Sequence, residues 1–501
     1  MMTTTRISRL LLIAMLASLT LSSCGGSETT TDTTASGSVD TTTAAADTAE
    51  TLDLPEKNWE GRKFRVLGYE HASRTQFSNF EIDSEGENGD VVNDAIFRRN
   101  TKIEDTYNVE IVQILDASDN NWENATMNHI RQTTLAGEDL YDLAFASVSR
   151  IGTLAREGMF YDLNSVDHID FTKSWWNSEV NSALEVSGRL FFTNSDFSLR
   201  DKSRSYIMTF NKAMVEKYEL GDPFQLVRDG KWTLDVMTEW SKKVGNDVNG
   251  NGEPDYEDTF GTGFDSYNAF RTFSFGAGLE ILQNNGGSPA LVMNNERTID
   301  IIDKVFGLLT PNDYVGTTCE LWNGKVTFDY WSACGKLFME GRLLFLTTFP
   351  HSLKTLSANC AEDYGVLPFG KLDEKQDKYY TFADSMGMLF GIPSTTPDPD
   401  FSGFMLEALS AESQKTSLPA YYEISCKTKY TYDEDSAEMM DIIFGGIVFE
   451  PSVVYGISGV NNLLYEIAKG GTNDFASRYA SVEAAAKEDI KKLIADFAAI
   501  K

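Results

Sequence analysis

Histidine, cysteine and positive charge are scarce in this 501-residue sequence, and each shortage removes a class of function. The four histidines, His71, His129, His168 and His351, show no metal-ligand spacing. Five cysteines include no CxxC pair, which argues against a thiolate zinc site or a dithiol redox motif. HExxH, GxSxG, the Walker A pattern and GxGxxG are all missing, so no familiar hydrolase, nucleotide or dinucleotide signature is present. Lysine and arginine total 43 against 75 Asp and Glu, for a formal net charge of −32. That field repels nucleic acid and anionic lipid, so neither is an expected partner, and solubility explains the acidity. Beyond the first two dozen residues no apolar run is long enough to span a bilayer. Aromatic residues at 12% and hydrophobic residues at 42% indicate a globular body.

Arg6 and Arg9 precede an uncharged run at 10–21, LLLIAMLASLTL, and Leu21-Ser22-Ser23-Cys24 follows. As a helix the run reaches roughly 18 Å, short of a ~30 Å bilayer core, so it reads as an export signal at 1–23. Its ending resembles a bacterial lipobox, which implies cleavage before Cys24 and a diacylglycerol on that sulfur. An ordinary signal with an incidental cysteine is the alternative. Residues 25–51 are almost entirely Thr, Ala, Ser, Gly and acidic, without aromatic residue, Lys or Arg. Such a stretch cannot offset its ordering entropy by burial, so 24–53 is expected to be a disordered tether behind a lipid anchor. The body would then sit at the extracytoplasmic face of the cell membrane. There Cys319, Cys334, Cys360 and Cys426 permit disulfides, with three pairings open.

The remaining body, about 450 residues, is enough for two large α/β lobes. A strand is predicted at 63–69, a helix at 90–107, a strand at 109–115, a helix at 124–135, a strand at 140–146, and a helix after 147–150. Alternation of this kind makes a mainly parallel sheet covered by helices, with ligands beyond the carboxyl ends of the strands. Glu70, Ser147 and Arg150 occupy those ends. Further along, 184–192 reads as two strands about Ser187-Gly188, and 193–200 as a polar joint. Thr233 is placed to cap a helix, Asp398-Pro399 to start another, and 482–500 is amphipathic, with Ala486, Ile490, Leu493 and Phe497 on one face.

The order of short motifs carries a family resemblance. A lipobox, a Thr/Ser tether, Val92-Asn93-Asp94-Ala95-Ile96, Tyr141-Asp142-Leu143, Trp175-Trp176-Asn177 and Phe210-Asn211-Lys212 come in turn. Phe338-Met339-Glu340-Gly341-Arg342, Tyr364-Gly365-Val366-Leu367-Pro368, Lys429, Asp433 and Met439-Met440-Asp441 follow. Together they resemble the family 1 extracellular solute-binding proteins, lipid-anchored receptors of ABC importers similar to maltose-binding protein. The resemblance implies a two-lobed periplasmic-binding-protein type II fold that clamps a solute, most often an oligosaccharide, and presents it to permease subunits. By that likeness lobe one takes 54–197 with 390–430, and lobe two takes 204–388 with 435–501. Hinges would fall at 193–203 and near 389 and 432.

Sugars present hydroxyl edges and apolar C–H faces, so a sugar site needs stacked rings beside polar groups. Trp176, Tyr267 and Trp331 are the candidate rings, with Arg150, Asp196 and Asp384 beside them. Adjacent Trp175 and Trp176 should face opposite ways, so at most one reaches a cleft. Any of these rings also fits a core. A lipid-anchored polysaccharide hydrolase and a surface glycan-binding scaffold remain as alternatives, because 75 acidic residues leave room for a pair of catalytic carboxylates.

The segment 247–258, DVNGNGEPDYED, has EF-hand-like spacing. Asp247, Asn249, Asn251, the Glu253 carbonyl, Asp255 and Asp258 would be ligands of a structural Ca²⁺, with Gly252 at the sharp turn. Asp258 in place of a bidentate Glu, and Pro254 after the turn, depart from the regular loop, and a metal-free acidic turn fits the same residues.

Overall fold

The computed structural model describes residues 50–118, 121, 124, 126–309, 314–423 and 433–500. The export signal, Cys24, most of the tether, Cys426, Lys429 and the hinge expected near 432 lie outside the described residues. No helix among the described residues is long and apolar enough to cross a membrane.

In chain order the strands are β1 Arg62–Tyr69, β2 Val109–Asp116, β3 Leu143–Ser147, β4 Ile207–Asn211, β5 Phe260–Phe264, β6 Leu282–Asn284 and β7 Pro289–Leu291. Then come β8 Gly316–Thr318, β9 Leu343–Thr348, β10 Tyr364–Leu367, β11 Thr381–Phe382, β12 Met388–Gly391 and β13 Ile447–Val448. The sheet of lobe one has the order β12-β3-β1-β2. β1 is parallel to both neighbours, with Phe64 opposite Ile111 and Val66 opposite Leu143. β12 returns antiparallel to β3, with Met388 opposite Ser147. Lobe two has the order β10-β4-β9-β5-β8, parallel where β5 meets β8 and β9, antiparallel where β4 meets β9 and β10. These inner strands are covered on both faces, so they read as continuous apolar runs rather than alternating ones.

Local chemistry sets the helices between them. Asp90 accepts the Val92 and Asn93 N–H groups, each at 3.1 Å, to open the helix Val91–Tyr107. Asn108 closes it in the left-handed region at φ 50°. Thr233 caps Leu234–Val244, and Asp398 with Pro399 opens Pro399–Lys415, both as the sequence predicts. Two of the resemblance motifs meet in space, since Lys212 pairs with Asp433 while Asn211 caps its own helix.

Phe64, Val66, Phe145, Phe390, Phe401 and Phe404 pack the core of lobe one. Ile207, Phe260, Leu337, Leu343 and Val366 pack in lobe two. A third apolar cluster joins the lobes, with Ala146 and Ile151 beside Val454, Tyr455 and Phe497. The segment 435–500 therefore packs on lobe one as well as lobe two. Arg156, in the helix Val148–Arg156, holds Asp489 at 2.9 Å and Asp496 at 3.0 Å on the helix Phe475–Ala499. Gly152 lets the same helix approach the segment Pro451–Val454, because a Cβ there would lie 2.4 Å from the Val454 carbonyl oxygen.

Two expectations change. Residues 184–192 do not form two strands: the helix Ser178–Leu184 ends at the first of them, and only Val186 and Arg189 bridge across the turn. The return to lobe one begins at Met388 rather than 390. Cys319 and Cys334 are neighbouring buried thiols, the Cys334 N–H donating to Cys319 Sγ at 3.4 Å, and Cys360 is also a free thiol.

Candidate functional site

The loops that leave β1, β3, β5 and β8 converge on a cavity of about 790 Å³ between the lobes. Loops at strand ends are free of ladder constraints, which is why ligand-contacting side chains collect there. Arg74 follows β1 and Arg150 follows β3, both from lobe one. Asp265 and Arg271 follow β5, and Glu320 and Trp331 follow β8, all from lobe two. The crossing segment 384–386 and the turn 456–462 complete the wall.

Three of the residues expected to bind solute, Arg150, Trp331 and Asp384, line this cavity together. The Trp331 ring is 46% exposed and lies 4.8 Å from the Tyr330 ring at 33°, an open aromatic platform. Arg150 is held by Asn124, its Nε donating to Oδ1 at 3.2 Å. Asp384 sits almost fully buried at the back, accepting from Arg204 Nη2 at 2.5 Å. Arg204 in turn lies over the Phe349 ring at 4.1 Å and the Phe77 ring at 5.2 Å. Burial raises the Asp265 carboxyl to about 6, with the charge of Asp384 adding to the effect. Burial also lowers His351 to about 3, with Arg204 adding to it, so this imidazole behind the wall is neutral at pH 7.

The other candidates stand elsewhere. Ser147 is fully buried at the end of β3, and Glu70 is exposed but outside the cavity wall. Tyr267 packs edge-on against Tyr465, ring centroids 6.2 Å apart, and it is Tyr465 that reaches the wall. Trp176 belongs to the lobe-one core: its Nε1 donates to Glu407 at 2.9 Å, while Trp175 Nε1 donates to the other oxygen of the same carboxylate at 3.0 Å. The two rings thus converge on one carboxylate instead of facing opposite ways. They lie in a turn, where successive side chains can converge. Asp196 is likewise tied into lobe one, accepting from Gln414 Nε2 at 3.1 Å with Lys202 Nζ at 3.8 Å, and burial raises it to about 6.

Sequence reasoning missed Arg204, Asp265, Arg271 and the Asn461-Asn462 pair at the start of the helix Val460–Gly470. The strand-end rule that found Arg150 would have found Asp265 had β5 been recognised. Its five residues, FGTGF, carry two glycines and so lack a strand signature.

The loop 247–258 is closed by its own hydrogen bonds. Asp247 accepts Gly250 N–H at 2.7 Å and Gly252 N–H at 2.8 Å, and Asp258 accepts Val248 N–H at 2.9 Å and Asp255 N–H at 2.7 Å. Asn249 and Asn251 turn their amide nitrogens to Asp255 Oδ2, at 2.7 and 2.6 Å. The donor set is rich in oxygen, as calcium requires. Among the described residues no group of three or more His, Cys, Asp or Glu side chains gathers in metal-binding geometry.

No curated protein sequence matches the chain. An ABC substrate-binding protein of Listeria monocytogenes, solved with cycloalternan, is 13% identical with TM-score 0.52, over 86% of this chain and 98% of that one. The galacto-N-biose/lacto-N-biose I-binding protein of Bifidobacterium longum, solved with lacto-N-biose, is 12% identical with TM-score 0.55, over 87% and 98%. A Mycobacterium tuberculosis protein solved with glycerophosphocholine is 15% identical with TM-score 0.53, over 83% and 100%. At these identities the likeness is one of fold, the two-lobed periplasmic-binding-protein arrangement. The sequence profile of the bacterial extracellular solute-binding proteins matches residues 103–437, two-thirds of the chain, and the protein belongs to that family.

Proposed function

We propose that this protein is the lipid-anchored receptor of an ABC importer, capturing a saccharide between its lobes and handing it to permease subunits at the extracytoplasmic face of the membrane. The observation that carries the reading is the interlobe cavity, where the open Trp331 ring faces a wall holding Arg150, Asp384, Asn461 and Asn462. A ring for the C–H face of a sugar and amides and charges for its hydroxyls are what a pyranoside needs. Two of the similar structures are complexes with oligosaccharides, which supports the same class of solute. The protein binds without turnover. Solute closes the lobes about the segments 193–203 and 384–388 and so makes the surface that the permease reads.

The test joins a thermal-shift screen of oligosaccharides to small-angle scattering. A stabilising sugar should reduce the radius of gyration at saturation and should be recovered unchanged. An unchanged radius would overturn the clamp, and newly released reducing ends would favour a hydrolase.

A further inference from the structure

The Arg271 guanidinium has no hydrogen-bond or ion-pair partner among the described residues. It lies in the helix Ala269–Gly276 directly after β5 and lines the interlobe cavity. Its Nε is sealed from solvent without a hydrogen-bond partner, and no carboxylate lies within ion-pair distance of it among the described residues. The Phe382 ring stands 5.3 Å from the guanidinium carbon, a contact that orients the group but offers no acceptor in its plane.

The deeply buried arginines differ from it at their terminal nitrogens, although Arg200 and Arg204 also leave Nε unpaired. Arg99 donates to the Glu81 and Ile82 carbonyls and to Asn100. Arg200 donates to the Gln76, Phe77 and Ser78 carbonyls, and Arg204 to Asp384. Where a guanidinium serves the fold, this chain supplies acceptors to its terminal nitrogens, as the cost of burying an unpaired cation demands. Arg271 is left open toward the cavity. On the facing lobe-one wall, Arg74 is exposed, and its side chain has no ion pair or hydrogen bond among the described residues.

The acids of the cavity do not answer these cations. Asp384 is taken by Arg204, Asp265 accepts the Ser266 N–H at 2.7 Å, and Glu320 accepts the Tyr267 N–H at 3.4 Å. A protein with formal charge −32 has thus placed two unanswered guanidiniums on the walls of one cavity. Resting on the receptor reading, we propose that the solute is a saccharide bearing an anionic group, gripped by Arg271 from lobe two and by Arg74 from lobe one. A guanidinium fork matches carboxylate and phosphate alike, so a uronate and a sugar phosphate share the required chemistry.

Calorimetric titration of the whole chain with digalacturonate, glucose 1-phosphate and maltotriose separates these cases. One of the two acidic probes should bind at least about tenfold more tightly than maltotriose and weaken as salt is raised, and which one binds identifies the anion. Arg271→Gln should weaken that probe about 10- to 100-fold while Arg271→Lys retains part of the affinity. Arg74→Gln, an exposed change that leaves the fold alone, should weaken it several-fold and carries the test if Arg271→Gln does not fold. Maltotriose binding more tightly than both acids, with Arg74→Gln without effect, would overturn the anionic assignment and leave the receptor reading standing. Failure of all three probes to bind would overturn both.

Discussion

Arg204 and Asp384 meet at 2.5 Å where the two lobes join, one residue entering β4 of lobe two and the other leading to β12 of lobe one. Both side chains are almost fully buried, and Arg204 is sandwiched by Phe349 and Phe77. Removing one partner of such a pair strands the other charge. Asp384→Ala is expected to cost about 3–5 kcal/mol of stability in urea unfolding. The double variant Arg204→Met with Asp384→Leu should recover much of that loss. A single variant as stable as wild type would mean that solvent reaches the pair.

Two tryptophans that look equivalent in the sequence should respond oppositely. Trp331→Ala is expected to leave melting nearly unchanged and to lose about 1–3 kcal/mol of saccharide affinity, because the ring is exposed in the cavity. Trp176→Ala is expected to cost about 3–5 kcal/mol of stability, because it opens a void in the core and leaves one oxygen of Glu407 without its indole donor. Equal effects of the two changes on affinity would sink the assignment of roles.

Glu407 and Glu450 are raised to about 7, chiefly by burial, against an ordinary value of 4.5. Between those values the native state holds protons that the unfolded chain has released, so their contribution to stability falls as pH rises from about 4.5 to 7 and is level above that. Urea midpoints at pH 5, 6, 7 and 8 should show this decline. Glu407→Gln, which cannot ionise, should flatten part of the slope. A slope identical to that of wild type would show that Glu407 does not titrate in this range.

Asp247 is the keystone of the 247–258 loop, since its two oxygens each accept a backbone amide. Asp247→Ala should lower stability by about 1–3 kcal/mol without metal. The calcium expectation is tested alongside it. Calcium should raise the wild-type melting temperature, EDTA should reverse the rise, and the variant should not respond. If wild type is equally indifferent to calcium, the loop is a hydrogen-bonded turn and nothing more.

Cys24→Ala should abolish incorporation of labelled palmitate and release the protein from the membrane fraction. Retention of the label would place the anchor at another residue.

The reach of the sequence differed between lobes for a physical reason. β1, β2 and β3 alternate with helices over a short span, so their period and caps could be read directly. The three-residue β8 and the glycine-bearing β5 carry too little pattern to announce a strand. For the site, the rule of strand ends led to Arg150, and the search for rings beside polar groups led to Trp331 and Asp384, while the carboxylate of the polar joint, Asp196, proved to lie outside the cavity. Trp176 and Asp196 failed to reach the cavity because burial is decided by partners distant in sequence, Glu407 and Gln414 on the helix Pro399–Lys415. Arg271 left no trace in the sequence, since an arginine lacking acceptors looks the same there as one that has them.

The strand β12 has a consequence for how the molecule comes into being. The ribosome makes β1, β2 and β3 early, then all of β4 to β10, and only afterwards the strand that covers the exposed edge of β3. Until that late segment arrives, lobe one is a sheet with an open flank and an unfinished apolar face, and closing it requires a contact across nearly half of the chain length. Contacts of such long range are slow to form. A chain whose first lobe cannot lock before its last third has been synthesised stays loosely folded for longer, the condition that threading an unfolded polypeptide through a membrane requires.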